Sequence, residues 1–206
     1  FVTGVQTCAL PISLFPEVEW ITSRYPLTWD ERGRAVACSD AVGFNHDSFF
    51  RGANLPGRRS YARSFIQQES TFWRRSLWER AGGYIDASLK FAGDFELWSR
   101  FFRYADLCAV ATPLAGFRVH GNQKTAFHLQ EYLAEAEAIF RAHAGHPYGR
   151  FEGTIRRYIH YGIGGRSLKS LPSRLGSILT RLRLLYPAKL CLWTGKRWEV
   201  VTGYVV

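Results

Sequence analysis

The chain has 206 residues, of which 47% are hydrophobic, 21% charged and 16% aromatic, a composition that excludes a disordered chain, a coiled coil and a collagen-like repeat. No run of 18 or more apolar residues is present, so the sequence contains no typical transmembrane helix. The net charge of +10 is unevenly distributed, because residues 150–206 carry 11 Lys and Arg but only 2 Asp and Glu. This basic end predicts an anionic partner, unless it is a solvated helix face.

The four cysteines are far apart in the sequence, at Cys8, Cys38, Cys108 and Cys191. They form neither a disulfide framework nor a Cys-x-x-Cys metal motif. Widely spaced free thiols are typical of a reducing compartment. We therefore expect a cytoplasmic protein.

The first 13 residues differ from the rest of the chain, because they carry no charge and lack the basic and apolar regions of a signal peptide. The stretch from Val2 to Ile12 resembles the translation of a common sequencing-library adapter. Our hypothesis is that residues 1–13 are non-native read-through, to be left out of fold reasoning. On this hypothesis the chain from Leu14 onward is the later part of a longer protein.

The predicted elements alternate between strands and helices, which indicates an α/β fold. Strands are predicted at residues 17–22, 35–38, 65–71, 106–112 and 115–120, and helices at 73–81, 94–104 and 123–144. Further along, two basic helices at 151–162 and 172–185 precede a β-hairpin of residues 189–193 and 197–201. The charge changes near residue 146, so we divide the chain into a catalytic part, 14–146, and a basic extension, 147–206.

The segment Phe91–Arg103 (FAGDFELWSRFFR) holds the first candidate for chemistry. Three apolar residues share one face of a helix that begins at Asp94: Leu97, Trp98 and Phe101. Glu96 and Arg100 fall on another face, where we expect them to be solvated and paired. A carboxylate at the start of a helix, directed toward the apolar side, can stay ionised and still accept a proton. Asp94 is thus either a general base or the N-cap of the helix.

The segment Gly116–Thr125 (GFRVHGNQKT) is a second candidate. In a strand, Arg118 and His120 point to the same face. A cation and an imidazole together suit a pyrophosphate or a metal bound to one, and Lys124 follows closely. A structural histidine fits the same pattern.

The segment Phe65–Arg75 (FIQQESTFWRR) is a third candidate. Gln68 and Glu69 lie at the end of a predicted strand, where α/β sheets present ligand-binding groups. A set of helix-capping groups would give the same pattern.

Taken together, the blocks QQESTFWRRSLWERAGGYID, AGDFELWSRFF and FRVHGNQKT resemble family 2 glycosyltransferases in their order and spacing. The resemblance covers about Leu14–Tyr132 and implies the acceptor-side, C-terminal part of a GT-A fold. It implies that Asp94 is the catalytic base, although Gly93 stands where the family usually has Glu. Arg118 then matches part of the family's Arg-x-His element near the diphosphate.

The resemblance also implies a set of substrate-binding residues, which are Gln68, Glu69, Trp98, Arg118 and Lys124. It implies that His120 helps to bind a divalent cation, Mg²⁺ or Mn²⁺, held mainly by an Asp-x-Asp motif expected upstream of Leu14 and lacking in this sequence. We therefore expect an inverting transfer of a sugar from a nucleotide-sugar donor to a hydroxyl group of a glycan or lipid-linked acceptor, in the synthesis of cell-surface glycan or polysaccharide. We expect the 206-residue chain alone to be inactive.

A second hypothesis is a non-catalytic binding module. In the segment Leu171–Leu185, one apolar stripe is surrounded by arginines, and its members are Leu175, Ile178, Leu179 and Leu182. Such a helix could lie on an anionic glycan or on the inner face of the cytoplasmic membrane, or it could pack on its own domain. Nucleic acid is not expected as a partner, because the sequence has no zinc-finger spacing or recognition motif.

Overall fold

A computed structural model describes residues 11–41, 43–55, 66–121, 128–159 and 173–205. The strands are β1 (Trp20–Ser23), β2 (Leu27–Trp29), β3 (Ala35–Cys38), β4 (Phe72–Trp73), β5 (Cys108–Val110), β6 (Gly116–Arg118), β7 (Tyr186–Trp193) and β8 (Trp198–Val205). The helices are α1 (His46–Phe50), α2 (Arg75–Arg80), α3 (Gly93–Phe101), α4 (Leu129–Ala142), α5 (Arg150–Tyr158) and α6 (Ser173–Arg181), and a 3-10 turn spans Gln68–Ser70. These elements confirm a mixed α/β protein.

The larger sheet has the strand order β4-β1-β5-β7-β8. Its three central strands run parallel, whereas β4 and β8 pair antiparallel at the two edges. Successive side chains point to opposite faces of the sheet, so Trp20 joins the main core while Ile21 joins a second core on the other side. Both faces of β1 are buried, as expected for a parallel strand with packed layers on both sides.

The C-terminal hairpin is confirmed and is longer than predicted. Its first strand, β7, lies between β5 and β8, with Lys189 opposite Cys108. Leu190 belongs to the main core and Cys191 to the second. The segments 14–146 and 147–206 therefore contribute strands to the same sheet.

The main core packs α1, α2, α3 and α4 against the larger sheet. Its centre is an aromatic cluster around Trp20, whose ring lies 4.8 Å from Phe102 and 5.6 Å from Trp98. The indole N–H of Trp20 donates a hydrogen bond to the carbonyl of Ala105 at 3.1 Å. This cluster fixes α3 on the sheet, because aromatic pairs add directional contacts to the burial of apolar area.

The prediction of a strand at residues 65–71 is wrong, because residues 68–70 form the 3-10 turn. The amide of Gln67 donates to the carbonyl of Leu27 at 3.0 Å, and the hydroxyl of Ser70 donates to the carbonyl of Ala115 at 3.1 Å. Polar side chains of this kind bond to backbone groups and compete with a strand ladder. These two hydrogen bonds attach the turn to β2 and to the residue before β6. Strands β2 and β6 pair in parallel in the smaller sheet.

Helix α3 is buried on nearly all sides, so the expected solvation of Glu96 and Arg100 is wrong. Both are 8% exposed, although they pair as expected at 2.8 Å. Arg100 also donates to the carbonyls of Ala81 and Tyr84. It therefore satisfies backbone acceptors at the end of α2, where Gly82 and Gly83 adopt φ values of 104° and 72° and form the predicted stop.

No helix within the described ranges is long and apolar enough to cross a membrane. The cysteines in these ranges, Cys38, Cys108 and Cys191, are free thiols.

Candidate functional site

The start of α3 is held in place by a carboxylate from α4. Glu135 accepts hydrogen bonds from the backbone N–H groups of Lys90, Phe91 and Ala92, at 3.1, 2.9 and 2.9 Å. Burial raises the pKa of Glu135, but these three bonds outweigh it and leave the pKa below its ordinary value. Because the carboxylate stays ionised beside the positive end of the helix, it stabilises this helix start.

Asp94 lies in the first turn of α3, and the cap position belongs to Ala92. The Asp94 carboxylate accepts the backbone N–H of Phe95 at 2.7 Å. It also accepts a hydrogen bond from the hydroxyl group of Tyr132 in α4. The N-cap interpretation of Asp94 is therefore excluded, and its carboxylate lies between two helices.

Burial raises the pKa of Asp94 from 3.8 to about 6. Hydrogen bonds from the backbone oppose this rise, the negative charge of Glu69 adds to it, and the Tyr132 hydroxyl opposes it. Burial and the neighbouring carboxylate also raise the pKa of Tyr132, so the phenol stays protonated and remains a donor. At neutral pH Asp94 is thus mostly ionised but far more basic than an exposed aspartate.

A narrow cavity of about 10 Å³, room for about one water molecule, lies beside Asp94, and the described residues of its lining are Phe49, Asn54, Ile66, Asp94, Phe95, Trp98 and Tyr132. Trp98 is 2% exposed, and its indole N–H finds no hydrogen-bond partner among the described residues. A buried donor without a partner is costly. The cavity therefore combines an acceptor, the Asp94 carboxylate, with an unused donor one helical turn away.

The 3-10 turn brings one further predicted residue to this place. Glu69 is exposed, yet its charge acts on Asp94. Gln68 is also exposed, but it does not line the cavity. The structure thus brings together Asp94, Trp98 and Glu69.

Arg118 and His120 are exposed on and just after β6, and neither lines the cavity of Asp94. Arg118 donates to the backbone carbonyl of Glu31, and the carboxylate of Glu31 accepts the N–H of Gly121 at 3.0 Å. These bonds attach the end of β6 to the loop after β2. Lys124 lies outside the described residues.

In the part of the chain that the structure describes, no three His, Cys, Asp or Glu side chains are placed to hold a metal ion. His120 is therefore not part of a complete ligand set within these ranges. The expected cation stays a prediction, because its main ligands, an Asp-x-Asp motif, are expected upstream of Leu14.

The sequence interpretation missed Tyr132 and Glu135. Both lie on the face of α4 that meets α3, three residues apart, next to the buried Ala136. The available signal was a carboxylate on the apolar face of an amphipathic helix. Such a group needs buried donors, and here the donors are the N–H groups before α3.

The site can therefore accept a proton from a hydroxyl group and donate a hydrogen bond to an oxygen atom nearby. Comparisons of this chain with known protein families, curated proteins and solved structures return no match.

Proposed function

We propose that the chain is the acceptor-side part of a family 2 glycosyltransferase with a GT-A fold. It would transfer a sugar, with inversion, from a nucleotide-sugar donor to a hydroxyl group of a glycan or lipid-linked acceptor. The observation that carries this proposal is the half-buried Asp94 carboxylate, which has a raised pKa and lies at a cavity that Trp98 also lines. The mixed α/β sheet and the order of the three motifs support it.

In this mechanism Asp94 removes the proton of the acceptor hydroxyl while that oxygen attacks the anomeric carbon. The O–H bond breaks, the new C–O bond forms, and the nucleoside diphosphate departs with the electrons of the old C–O bond. A base with a pKa near 6 suits this step at neutral pH and contributes roughly 10²–10⁴-fold to the rate. Tyr132 orients the carboxylate, and the indole of Trp98 donates to an oxygen of the acceptor.

The remaining assignments belong to the same proposal. Gln68 and Glu69 would contact the acceptor, and Arg118 and Lys124 the diphosphate of the donor. A divalent cation, held mainly by the expected upstream Asp-x-Asp motif with help from His120, would neutralise the leaving diphosphate. The free thiols within the described ranges support the cytoplasm as the compartment.

The test is made on the longer protein that includes the expected upstream donor-binding part. Release of nucleoside diphosphate is measured with a panel of nucleotide sugars and saccharide acceptors. Asp94→Asn should lose roughly 10²–10⁴-fold in kcat and keep its affinity for the donor, whereas Asp106→Asn, an exposed control, should match the wild type. Full activity of Asp94→Asn contradicts the assignment. Sugar transfer by the 206-residue chain alone contradicts the expectation that this chain is inactive.

A second candidate function, binding to an anionic membrane surface, is favoured by the exposed face of α5. Phe151, Ile155 and Tyr158 follow one another at helical spacing and are 81%, 36% and 78% exposed. The stripe expected on α6 is only partly exposed, because Leu179 packs beside Leu185. The side chain of Leu175 lies outside the described residues.

Arg156 fixes the orientation of α5 from the opposite side of the helix. It is 1% exposed, pairs with Glu152 at 3.0 Å and donates to the carbonyl of Leu184 at 3.2 Å. Its guanidinium also lies 4.3 Å and 5.0 Å from the ring centroids of Tyr148 and Tyr186. The helix cannot turn its apolar stripe inward without breaking these contacts.

The net charge of the basic end, 11 Lys and Arg against 2 Asp and Glu in residues 150–206, favours an anionic lipid surface. The two acidic residues of the basic end are both paired, Glu152 with Arg51 and Arg156, and Glu199 with Arg197 at 2.9 Å. The remaining charge is positive. An exposed apolar stripe within a basic region is typical of helices that lie in the membrane interface.

Co-sedimentation of the whole chain with phosphatidylcholine vesicles, with and without phosphatidylglycerol, tests this second function. Binding should require phosphatidylglycerol and weaken at raised salt. The double variant F151S/Y158S should bind at least about tenfold more weakly, whereas Y84S/I85S, at residues 51% and 50% exposed, should bind like the wild type. Equal binding of the two variants contradicts the role of α5.

A further inference from the structure

A shallow groove of about 600 Å³ lies beside α2. Among the described residues its lining comprises Trp73, Arg75, Trp78, Glu79 and Gly83. Much of this volume is open to solvent, so the groove can cover one side of a ligand but does not enclose it.

Two tryptophans form the apolar wall of this groove. The rings of Trp73 and Trp78 are nearly parallel, with an interplanar angle of 21° and centroids 6.3 Å apart. Both side chains are half-buried. The two rings stack on each other, so the wall offers a ligand only the part of the indole surface that this stack leaves uncovered.

The side chain of Trp73 is held in place by buried aromatic residues of the main core. Trp73 makes edge-to-face contacts with Trp98 at 5.7 Å and with Phe101 at 5.5 Å, and both of these rings are buried. Because these contacts already order the ring, a ligand that stacks on it causes little further loss of side-chain conformational entropy.

Polar groups of both signs stand at the edge of the groove. Arg75 and Glu79 pair at 2.8 Å one helical turn apart, and their side chains are 88% and 59% exposed. The guanidinium keeps further N–H donors and the carboxylate keeps further acceptor sites. Their charges cancel, so the edge of the groove attracts neither anions nor cations strongly.

Gly83 lies at the edge of the groove beside the indole nitrogen of Trp78. A Cβ atom at residue 83 would lie 3.6 Å from the Nε1 atom of Trp78, an ordinary van der Waals contact. The residue is glycine because of its backbone conformation, with φ = 72°.

We propose that this groove binds a neutral sugar ring, as a saccharide subsite outside the cavity of Asp94. The C–H groups on one face of a pyranose would stack on the negatively polarised indole surface that the tryptophan stack leaves uncovered. Adjacent hydroxyl groups each need a donor and an acceptor, which Arg75 and Glu79 supply. A nucleotide or another anion would need net positive charge, which this pair does not provide.

The inference does not depend on the catalytic role of Asp94, because the described linings of the two sites share no residue. Trp73 of the groove touches Trp98 of the cavity. A saccharide that binds at the groove therefore need not react at the cavity.

The test uses the purified 206-residue chain and three neutral probes: maltotriose, cellotriose and chitotriose. Saturation-transfer NMR reports which sugar protons touch the protein, and quenching of tryptophan fluorescence gives the affinity. At least one probe should bind. Trp78→Ala should weaken its binding at least tenfold, and Trp78→Phe should restore most of it. Trp193→Ala, which removes a tryptophan 54% exposed on the hairpin, is the matched control and should change nothing.

The outcomes separate this inference from the proposed function. Asp94→Asn should bind the probe like the wild type, so a loss in Asp94→Asn but not in Trp78→Ala overturns the groove and leaves the cavity as the sugar site. If no probe binds, or if Trp78→Ala binds like the wild type, the inference is wrong. Should Trp78→Ala not fold, Arg75→Ala at an exposed position takes its place, with binding reduced several-fold as the supporting result and unchanged binding as the contradicting one.

Discussion

The hydroxyl group of Tyr132 in α4 donates a hydrogen bond to the carboxylate of Asp94 in α3. One turn further along α4, Glu135 holds the backbone N–H groups that precede α3. The same helix therefore positions the start of α3 and adjusts the basicity of its aspartate. Variants of Tyr132 and of Glu135 separate these two roles.

Tyr132→Phe should raise the pKa of Asp94 above its value of about 6. The hydrogen bond from Tyr132 favours the ionised carboxylate, so its removal favours the protonated form. The measurement is a carboxyl ¹³C NMR titration of both proteins. Tyr84→Phe, at an exposed tyrosine, is the control. An unchanged titration of Asp94 in Tyr132→Phe would show that the phenol does not act on the carboxylate.

Asp94→Asn should stabilise the protein at pH 7.5 by about 3 kcal/mol. The pKa of Asp94 is about 6 in the folded protein and 3.8 as its ordinary value. Between these values the folded state keeps a proton that the unfolded state releases, so the wild type loses stability as the pH rises from about 4 to about 6. The variant lacks this loss.

Urea unfolding of Asp94→Asn and of the wild type at pH 4 and pH 7.5 measures the effect. The gain should fall below about 1 kcal/mol at pH 4, because Asp94 is then protonated in the folded state. Asp106→Asn, at an exposed aspartate, is the matched control. A gain that is equal at both pH values would argue against burial of an ionised Asp94.

Glu135→Gln should lower the free energy of unfolding by about 1–2 kcal/mol. The amide keeps one acceptor oxygen for the N–H groups before α3 but loses the charge that strengthens these bonds. Denaturant unfolding at pH 7.5 is the measurement. Glu137→Gln, at a residue that pairs with Arg141 on the solvent side of the same helix, should cost less than about 0.5 kcal/mol.

Arg156→Met should destabilise the protein by about 3 kcal/mol. The buried guanidinium joins Glu152 to the carbonyl of Leu184, and a methionine of similar length leaves that carbonyl without its donor. The loss should appear in denaturant unfolding and as faster proteolysis within α5. Arg181→Met, at an exposed position, should have little effect on either. Comparable stability of the two variants would contradict the anchoring role of Arg156.

Features set by local sequence could be predicted. The alternation around β1, the glycine pair after α2 and the apolar spacing of α3 each depend on residues a few positions apart. The two strands of the C-terminal hairpin belong to the same class. Of the candidate site, the shared face of Asp94 and Trp98 follows from helical spacing alone.

Features set by distant contacts could not be predicted. The turn at residues 68–70 exists because Gln67 and Ser70 bond to carbonyls in other strands. Glu96 and Arg100 are buried because carbonyls at the end of α2 accept the guanidinium. The Tyr132 bond to Asp94 likewise depends on how α4 packs on α3, which no local pattern contains.

The place of β7 in the larger sheet has a consequence for how the protein folds. Cys108 pairs with Lys189, so the centre of the sheet joins segments far apart along the chain. Bringing β5 and β7 together closes a long loop, and the chain loses conformational entropy before the contacts between the strands can offset that loss. Sheets with such long-range pairing fold slowly. During synthesis β5 cannot form this pairing until β7 has left the ribosome. Until then β5 presents an unpaired apolar edge, and such edges favour aggregation.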